Sequence, residues 1–287
     1  MRISRQDAKF RQDAKPLRLC APLRLCVKLS FVLLAASLCA ETPQEAGNRL
    51  IRQCFEVVGG QAFLSMRDKV QHGRAYQFYD DRLTGLSVVA FYTKYDPKPS
   101  SPGPDWIGVR ERRDFGKNAD YGALFFEGKG YDITFRGARP FPEAYMRQYR
   151  ERLRRDIFYI LKYRLDEPGM IFESMGTEII DNQPTDSVRI TDADNFLVTV
   201  YLLKSSHLPV RQEYVRRDPK TRETVREAVN FTKYRNVSGV QLPWNTQLVR
   251  DGEKILEMFG ETVAINKDLN DSLFELKRGM KVLPADK

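Results

Sequence analysis

Histidine and cysteine are scarce in this chain: of 287 residues, two are His and four are Cys. That scarcity removes most catalytic constellations at once. Ser206 and His207 are adjacent, and neighbours in extended chain point apart; no G-x-S-x-G elbow surrounds any serine either. Asp192-Ala193-Asp194-Asn195 opens like a calcium loop but lacks the glycine and distal glutamate at the required spacing, so it reads as a hairpin turn. Asp80-Asp81 and the Asp268/Asp271 pair read as turn residues in the same way. Glycine-rich phosphate or dinucleotide fingerprints are missing too. No catalytic residue, metal ligand or cofactor is expected, and the chain is not read as an enzyme.

Long hydrophobic runs are also missing. The longest, residues 31–40, is too short to span a bilayer and has the length of a secretory h-region. It ends in small residues, with cleavage expected after Ala40 or after Ser37. Residues 27–40 are therefore read as a signal peptide and the mature chain as periplasmic. Lipid anchoring at Cys39 is not expected, because Leu38 stands where a lipoprotein signal needs a small residue. Upstream lie two tandem duplications, RQDAKF/RQDAK and PLRLCA/PLRLC, which have no folding logic. Translation is expected to begin near Val27, so that residues 1–26 precede the true start; a long n-region is the alternative.

Three of the four cysteines, Cys20, Cys26 and Cys39, fall in this leader. Cys54 is then alone, which excludes an internal disulfide in the mature chain. Its place in an apolar helical stripe points to burial rather than pairing with another chain.

Acidic charge looks deficient at first: the net charge is +9. The leader, however, carries eight basic and two acidic residues, leaving 39 basic against 36 acidic in the remainder. No basic surface survives that subtraction, and nucleic acid is not an expected partner.

What is present is material for one folded β-rich domain, residues 41–287, with 42% hydrophobic and 30% charged residues overall. Thr42-Pro43-Gln44-Glu45 forms a capping box, and Ala46, Leu50, Ile51, Cys54 and Val58 follow at helical spacing until Gly59-Gly60. From Val70 to Phe135 the period becomes two, giving five strands. Leu86, Val88, Ala90 and Tyr92 share one parity of the second strand, while Val89, Phe91 and Tyr95 share the other. Both faces thus want cover, as in a curved sheet packed against helices or lining a cavity. A long helix is predicted over residues 143–165, with Met146, Tyr149, Leu153, Ile157, Ile160 and Leu161 in one stripe. Arg147, Arg150, Arg154 and Arg155 lie largely elsewhere, most simply on a solvated face, alternatively on a basic rim for lipid phosphates or an acidic partner. Strands resume after Pro168-Gly169, and Phe196, Val198, Val200 and Leu202 share one parity of a central strand.

The closing segment, residues 231–276, is the most patterned. Gly239 and Pro243 punctuate one turn, Asp251-Gly252 marks a hairpin, and a V-x-I-N-x-x-L-x-D-x-x-F close ends at Phe274. With Leu208-Pro209 upstream, this pattern resembles the LolA/LolB-like superfamily of periplasmic outer-membrane lipoprotein carrier and sorting proteins. It departs from that family at Lys277, where a proline is common, and offers no equivalent of the carrier's lid arginine. The fold expected is α+β and mostly β: a strongly curved antiparallel sheet, a half-open barrel of about a dozen strands. It is wrapped around or covered by an N-terminal helix and a long mid-chain lid helix.

The resemblance implies a non-catalytic periplasmic carrier for lipid or lipoprotein acyl chains, acting as a monomer. A regulatory or scaffold module of the same fold, binding an inner- or outer-membrane envelope protein, is the alternative, and an exported hydrolase a third. Burial of acyl methylenes, about 0.8 kcal/mol each, supplies affinity without catalytic groups. The expected ligand-binding residues are Val89, Phe91, Met146, Tyr149, Leu153, Ile157, Phe196, Val198 and Val200. Gly239, Pro243, Asp251, Gly252 and Asn266 are expected to shape turns instead.

Overall fold

The structure is a computed structural model that describes residues 41–100, 106–119, 121–218 and 221–285. Residues 1–40, where the leader and signal peptide are expected, lie outside the described residues. Thr42–Lys287 form one compact unit.

Helix α1, Pro43–Val58, begins as its sequence dictates. The Thr42 hydroxyl accepts the Glu45 backbone N–H at 3.2 Å, and the Glu45 carboxylate accepts the Thr42 backbone N–H at 2.8 Å. It stops at Gly59, whose φ of 141° suits glycine, and the short helix α2, Gly60–Leu64, follows. Gly47 brings α1 against the sheet: a Cβ there would lie 2.4 Å from the Phe172 carbonyl oxygen.

Six strands come next: β1 Asp68–Tyr79, β2 Arg82–Tyr95, β3 Val109–Phe115, β4 Tyr121–Phe126, β5 Lys129–Thr134 and β6 Gly137–Pro140. A helical segment then leads to β7 Ile171–Ile180, β8 Gln183–Thr191, β9 Leu197–Leu203, β10 Pro209–Arg217, β11 Thr224–Val237, β12 Val240–Arg250 and β13 Glu253–Ile265. All thirteen form one antiparallel, half-open curved sheet in the order β6-β5-β4-β3-β2-β1-β13-β12-β11-β10-β9-β8-β7. The chain runs outward from the middle to one edge, crosses by its helices to the other edge, and returns. The pairing of β1 with β13 joins the two halves.

The mid-chain helix is not continuous over residues 143–165. Helix α3, Glu143–Arg155, ends at Asp156, whose ψ of 127° is extended. Helix α4, Ile157–Tyr159, starts afresh and runs into a π-helical turn, Ile160–Arg164. The new start is doubly capped: Asp156 Oδ1 accepts the Tyr159 N–H at 3.0 Å and buried Gln212 Oε1 accepts the Ile157 N–H at 2.9 Å. Aspartate is among the preferred N-cap residues, so the break has a local cause although neither glycine nor proline marks it.

The main core lies where α1, α4 and the π-helical turn cover the later strands. Leu50, Ile51, Cys54 and Val58 meet Ile157, Ile160 and Leu161 over Val188, Ile190, Val198, Val200 and Leu202. The lone Cys54 is buried there, and burial pushes its thiol pKa far up, so it packs as an apolar side chain.

Two local expectations are corrected. Pro243 is inside β12 rather than in a turn: the β11 register passes from Thr232 opposite Asn245 to Tyr234 opposite Pro243. Lys233, with φ 56°, interrupts the ladder between those two pairs without shifting the register, and Pro243 has no N–H to offer it there. The α3 arginines form a solvated face only in part: Arg147 is exposed, but the other three expected there are engaged. Arg154 pairs with Asp192 at 3.1 Å and Asp194 at 2.6 Å, and Arg150 pairs with Glu143. Arg155 is buried, its guanidinium 4.4 Å from the Phe196 ring centroid and 4.9 Å from that of Tyr214. The helix is pinned by its basic face as well as its apolar one.

Candidate functional site

Between α3 and the concave face of β1–β3 lies a cavity of about 300 Å³. Strand register builds its floor. Lys69 on β1 stands opposite Thr93 on β2, which stands opposite Glu111 on β3, which stands opposite Phe125 on β4. One step along, Gln71, Phe91, Arg113 and Ala123 form the parallel rung. Because strand side chains alternate, Lys69 and Gln71, Thr93 and Tyr95, and Glu111 and Arg113 all point to the concave side. From β13, Val263 joins them opposite Gln71.

The roof is one face of α3: Tyr145, Gln148, Tyr149, Arg152 and Leu153, with Asp156 at the break, recur every three or four residues. Phe158 and Tyr159 from α4, Phe63 and Met66 beside α2, and Phe231, Leu242 and Thr246 close the other flank. The enclosure is therefore amphipathic, apolar toward Phe158 and Phe231 and charged along β1–β3.

An aromatic stack holds α3 on the floor. Tyr149 lies on Phe125 with ring centroids 4.2 Å apart, Phe125 on Phe141 at 5.6 Å, and Phe141 on Tyr145 at 4.3 Å. Arg113 donates to Glu111 Oε2 at 2.5 Å, with its guanidinium 5.1 Å from the Phe125 centroid. The Tyr149 hydroxyl donates to the same Glu111 oxygen at 3.1 Å. Burial and the Glu111 charge push the Tyr149 pKa well up, so the hydroxyl stays protonated and keeps donating.

Two further groups are shifted. Burial pushes the Asp156 carboxyl up to about 6, against the bond from Tyr159 and the charge of Lys69. Burial lowers the Lys69 ammonium, against the attraction of Glu111 and Asp156. Among the described residues no group of three or more His, Cys, Asp or Glu is placed to hold a metal ion, and no helix is long and apolar enough to cross a membrane.

Of the nine sequence-expected residues, Tyr149 and Leu153 line this cavity. Phe91 stands in the floor's second rung and, with buried Val89, belongs to a small cluster with Ala75, Met258 and Phe115. Met146 is buried beneath α3; a Cβ on Gly130 would lie 2.5 Å from its Sδ. Ile157, Val198 and Val200 are in the main core. Phe196 precedes β9 and stacks under Arg154 and Arg155. Sequence reasoning passed over Lys69, Gln71, Glu111 and Arg113, since polar residues on strands normally face solvent, and Asp156, which it placed within a continuous helix. The available signal was parity: Glu111 and Arg113 share it with Val109, and Lys69 and Gln71 share it with Ala75.

No protein-family model matches the sequence, and no curated protein matches it. Solved structures do match the fold. A DUF1329 family protein from Desulfovibrio piger superposes with a TM-score of 0.55 at 14% identity, covering 82% of this chain and 98% of that one. A domain from Vibrio parahaemolyticus, described as outer membrane lipoprotein-sorting, gives 0.53 at 10% identity, covering 81% and 97%. A LolA superfamily protein from Nitrosomonas europaea gives 0.48 at 11%, covering 80% and 97%. At these identities the first two likenesses show a shared fold and nothing finer.

Proposed function

We propose that this chain is a periplasmic binding protein of the carrier type, exported by residues 27–40, which takes an acyl chain into the cavity under α3. The observation that carries this reading is the enclosure itself: about 300 Å³ between a helix and the concave sheet, with Phe63, Met66, Phe158 and Phe231 along one flank. Sites for small ligands span about 300–1,000 Å³, so the space fits a single chain rather than a whole multi-acylated lipoprotein. The fold shared with a lipoprotein-sorting domain supports the same class of cargo. Each methylene buried there contributes about 0.8 kcal/mol, and nothing in the wall is needed for chemistry.

Native mass spectrometry of the full chain, exported and purified without detergent, tests this directly. The expected result is a mass increment matching an acyl species, and displacement of a fluorescent fatty-acid probe by added lipid. An increment-free protein that takes up no probe overturns the reading.

A further inference from the structure

The charged groups of the cavity wall are committed within the protein, with one exception. Arg113 is on Glu111 at 2.5 Å, Arg152 is on Glu227 at 3.5 Å, and Asp156 accepts a backbone N–H at 3.0 Å. Lys69 makes no hydrogen bond and no ion pair among the described residues, although it lines the cavity deep on β1. Its neighbours on that wall are uncommitted in the same way. Thr93 directly opposite it and Gln71 two residues along are each 7% exposed. Like Tyr95 beside Thr93, they make no side-chain hydrogen bond among the described residues. One ammonium, one amide and two hydroxyls thus converge on the cavity with donors to spare.

Resting on the reading of an acyl-chain site, we propose that the ligand is a single-chain carboxylic acid whose ionised head is received by Lys69, with Thr93, Gln71 and Tyr95 as further donors. The tail runs toward Phe158, Phe231 and Val263. Charge-assisted hydrogen bonds are the stronger kind, and a desolvated ammonium gains most from such a partner. The same wall argues for a carboxylate over a phosphate. Glu111 and Asp156 flank Lys69 closely enough to attract it, and they repel a second negative charge on the ligand. A single ammonium balances a single anion.

Isothermal titration of the full chain with decanoate and with decanol at neutral pH separates head-group recognition from chain burial. Decanoate is expected to bind roughly tenfold or more tightly than decanol, the factor that about 1.4 kcal/mol represents. Lys69→Met, which keeps the stem and removes the charge, is expected to abolish that preference, bringing decanoate down to the affinity of decanol. Equal affinity for the two ligands, or a preference that survives in Lys69→Met, overturns the inference while leaving the acyl-chain reading intact. Failure of both ligands to bind overturns both. Should Lys69→Met not fold, Lys69→Gln gives the same comparison, and the wild-type preference is decisive by itself.

Discussion

The Asp156 carboxylate accepts the Tyr159 backbone N–H at 3.0 Å, and this bond ends one helix and begins the next over the cavity. Its cost is electrostatic. The carboxyl is raised from 3.8 to about 6, chiefly by burial. Between those values the folded protein holds the proton more tightly than the unfolded chain does, so stability falls as pH rises through that window and levels off above it. Asp156→Asn retains a cap and cannot ionise. It is expected to match the wild type near pH ~4 and to exceed it at neutral pH by about 3 kcal/mol at most. Urea midpoints at the two pH values check this; parallel shifts at both would contradict it.

Glu227 works in the opposite direction. Burial alone would raise its carboxyl, but the Tyr214 hydroxyl at 2.7 Å and the Arg152 and Arg216 charges outweigh burial and hold it at about 2. Because the folded value lies below the ordinary 4.5, its stabilisation is present above that pH and is lost as pH falls toward 2. Glu227→Gln leaves Arg216 facing a neutral amide in a buried site, and a loss of about 3–5 kcal/mol at neutral pH is expected. The variant's stability should also be flatter than the wild type's in acid. Denaturant melts at neutral and acid pH measure both effects, and an unchanged acid slope would rule the account out.

The cavity and the core are separable by mutation. Leu153→Trp puts a large ring into the cavity from half-buried α3, and is expected to lower fatty-acid probe affinity by roughly tenfold or more with little change in melting temperature. Leu202→Ala empties a fully buried core site and is expected to cost about 2–5 kcal/mol. Probe affinity of the folded Leu202→Ala protein should be unchanged. If the two variants lose affinity alike, the ligand is not in the cavity under α3.

What could be read from sequence was local or periodic. The Thr42–Glu45 capping box and the Asp251-Gly252 hairpin, with φ of 50° and 91°, are local, and the structure has both. Alternation revealed that β2 is apolar on both faces, which requires cover but does not say which face is concave. That is why the apolar Val89 and Phe91 were chosen, which pack in a small cluster with Ala75, Met258 and Phe115, while Glu111 and Arg113 of the cavity wall were passed over. Glu111 turns inward because Arg113, on its own strand, and Tyr149, 38 residues further on, satisfy it there. A partner at that separation leaves no mark within a window of sequence. The helix break at Asp156 was hidden similarly, since half of its cap comes from Gln212, 55 residues away from Ile157.

Asn266, read in the sequence as a shaper of the chain rather than a ligand contact, closes the end of the sheet by two means that mutation can separate. Its φ is 53°, in the left-handed region. Its Oδ1 accepts the Arg67 backbone N–H at 2.8 Å, while its own N–H goes to the Asp68 carbonyl at 3.1 Å. The buried Asp68 carboxylate then takes the Lys267 N–H at 2.7 Å and the Leu269 N–H at 3.3 Å. Left-handed backbone costs an ordinary L-residue about 1–2 kcal/mol, and the lost side-chain bond about 1 kcal/mol more. Asn266→Ala should therefore lose both contributions, about 2–3 kcal/mol together. Asn266→Gly relieves the backbone but not the missing acceptor, so it should fall between alanine and wild type, and Asn266→Asp, which keeps a side-chain oxygen and tolerates the conformation, should stay nearest to wild type. Chemical denaturation of the three variants tests the ordering. A glycine variant no more stable than the alanine one would mean that the backbone conformation is not what asparagine supplies here.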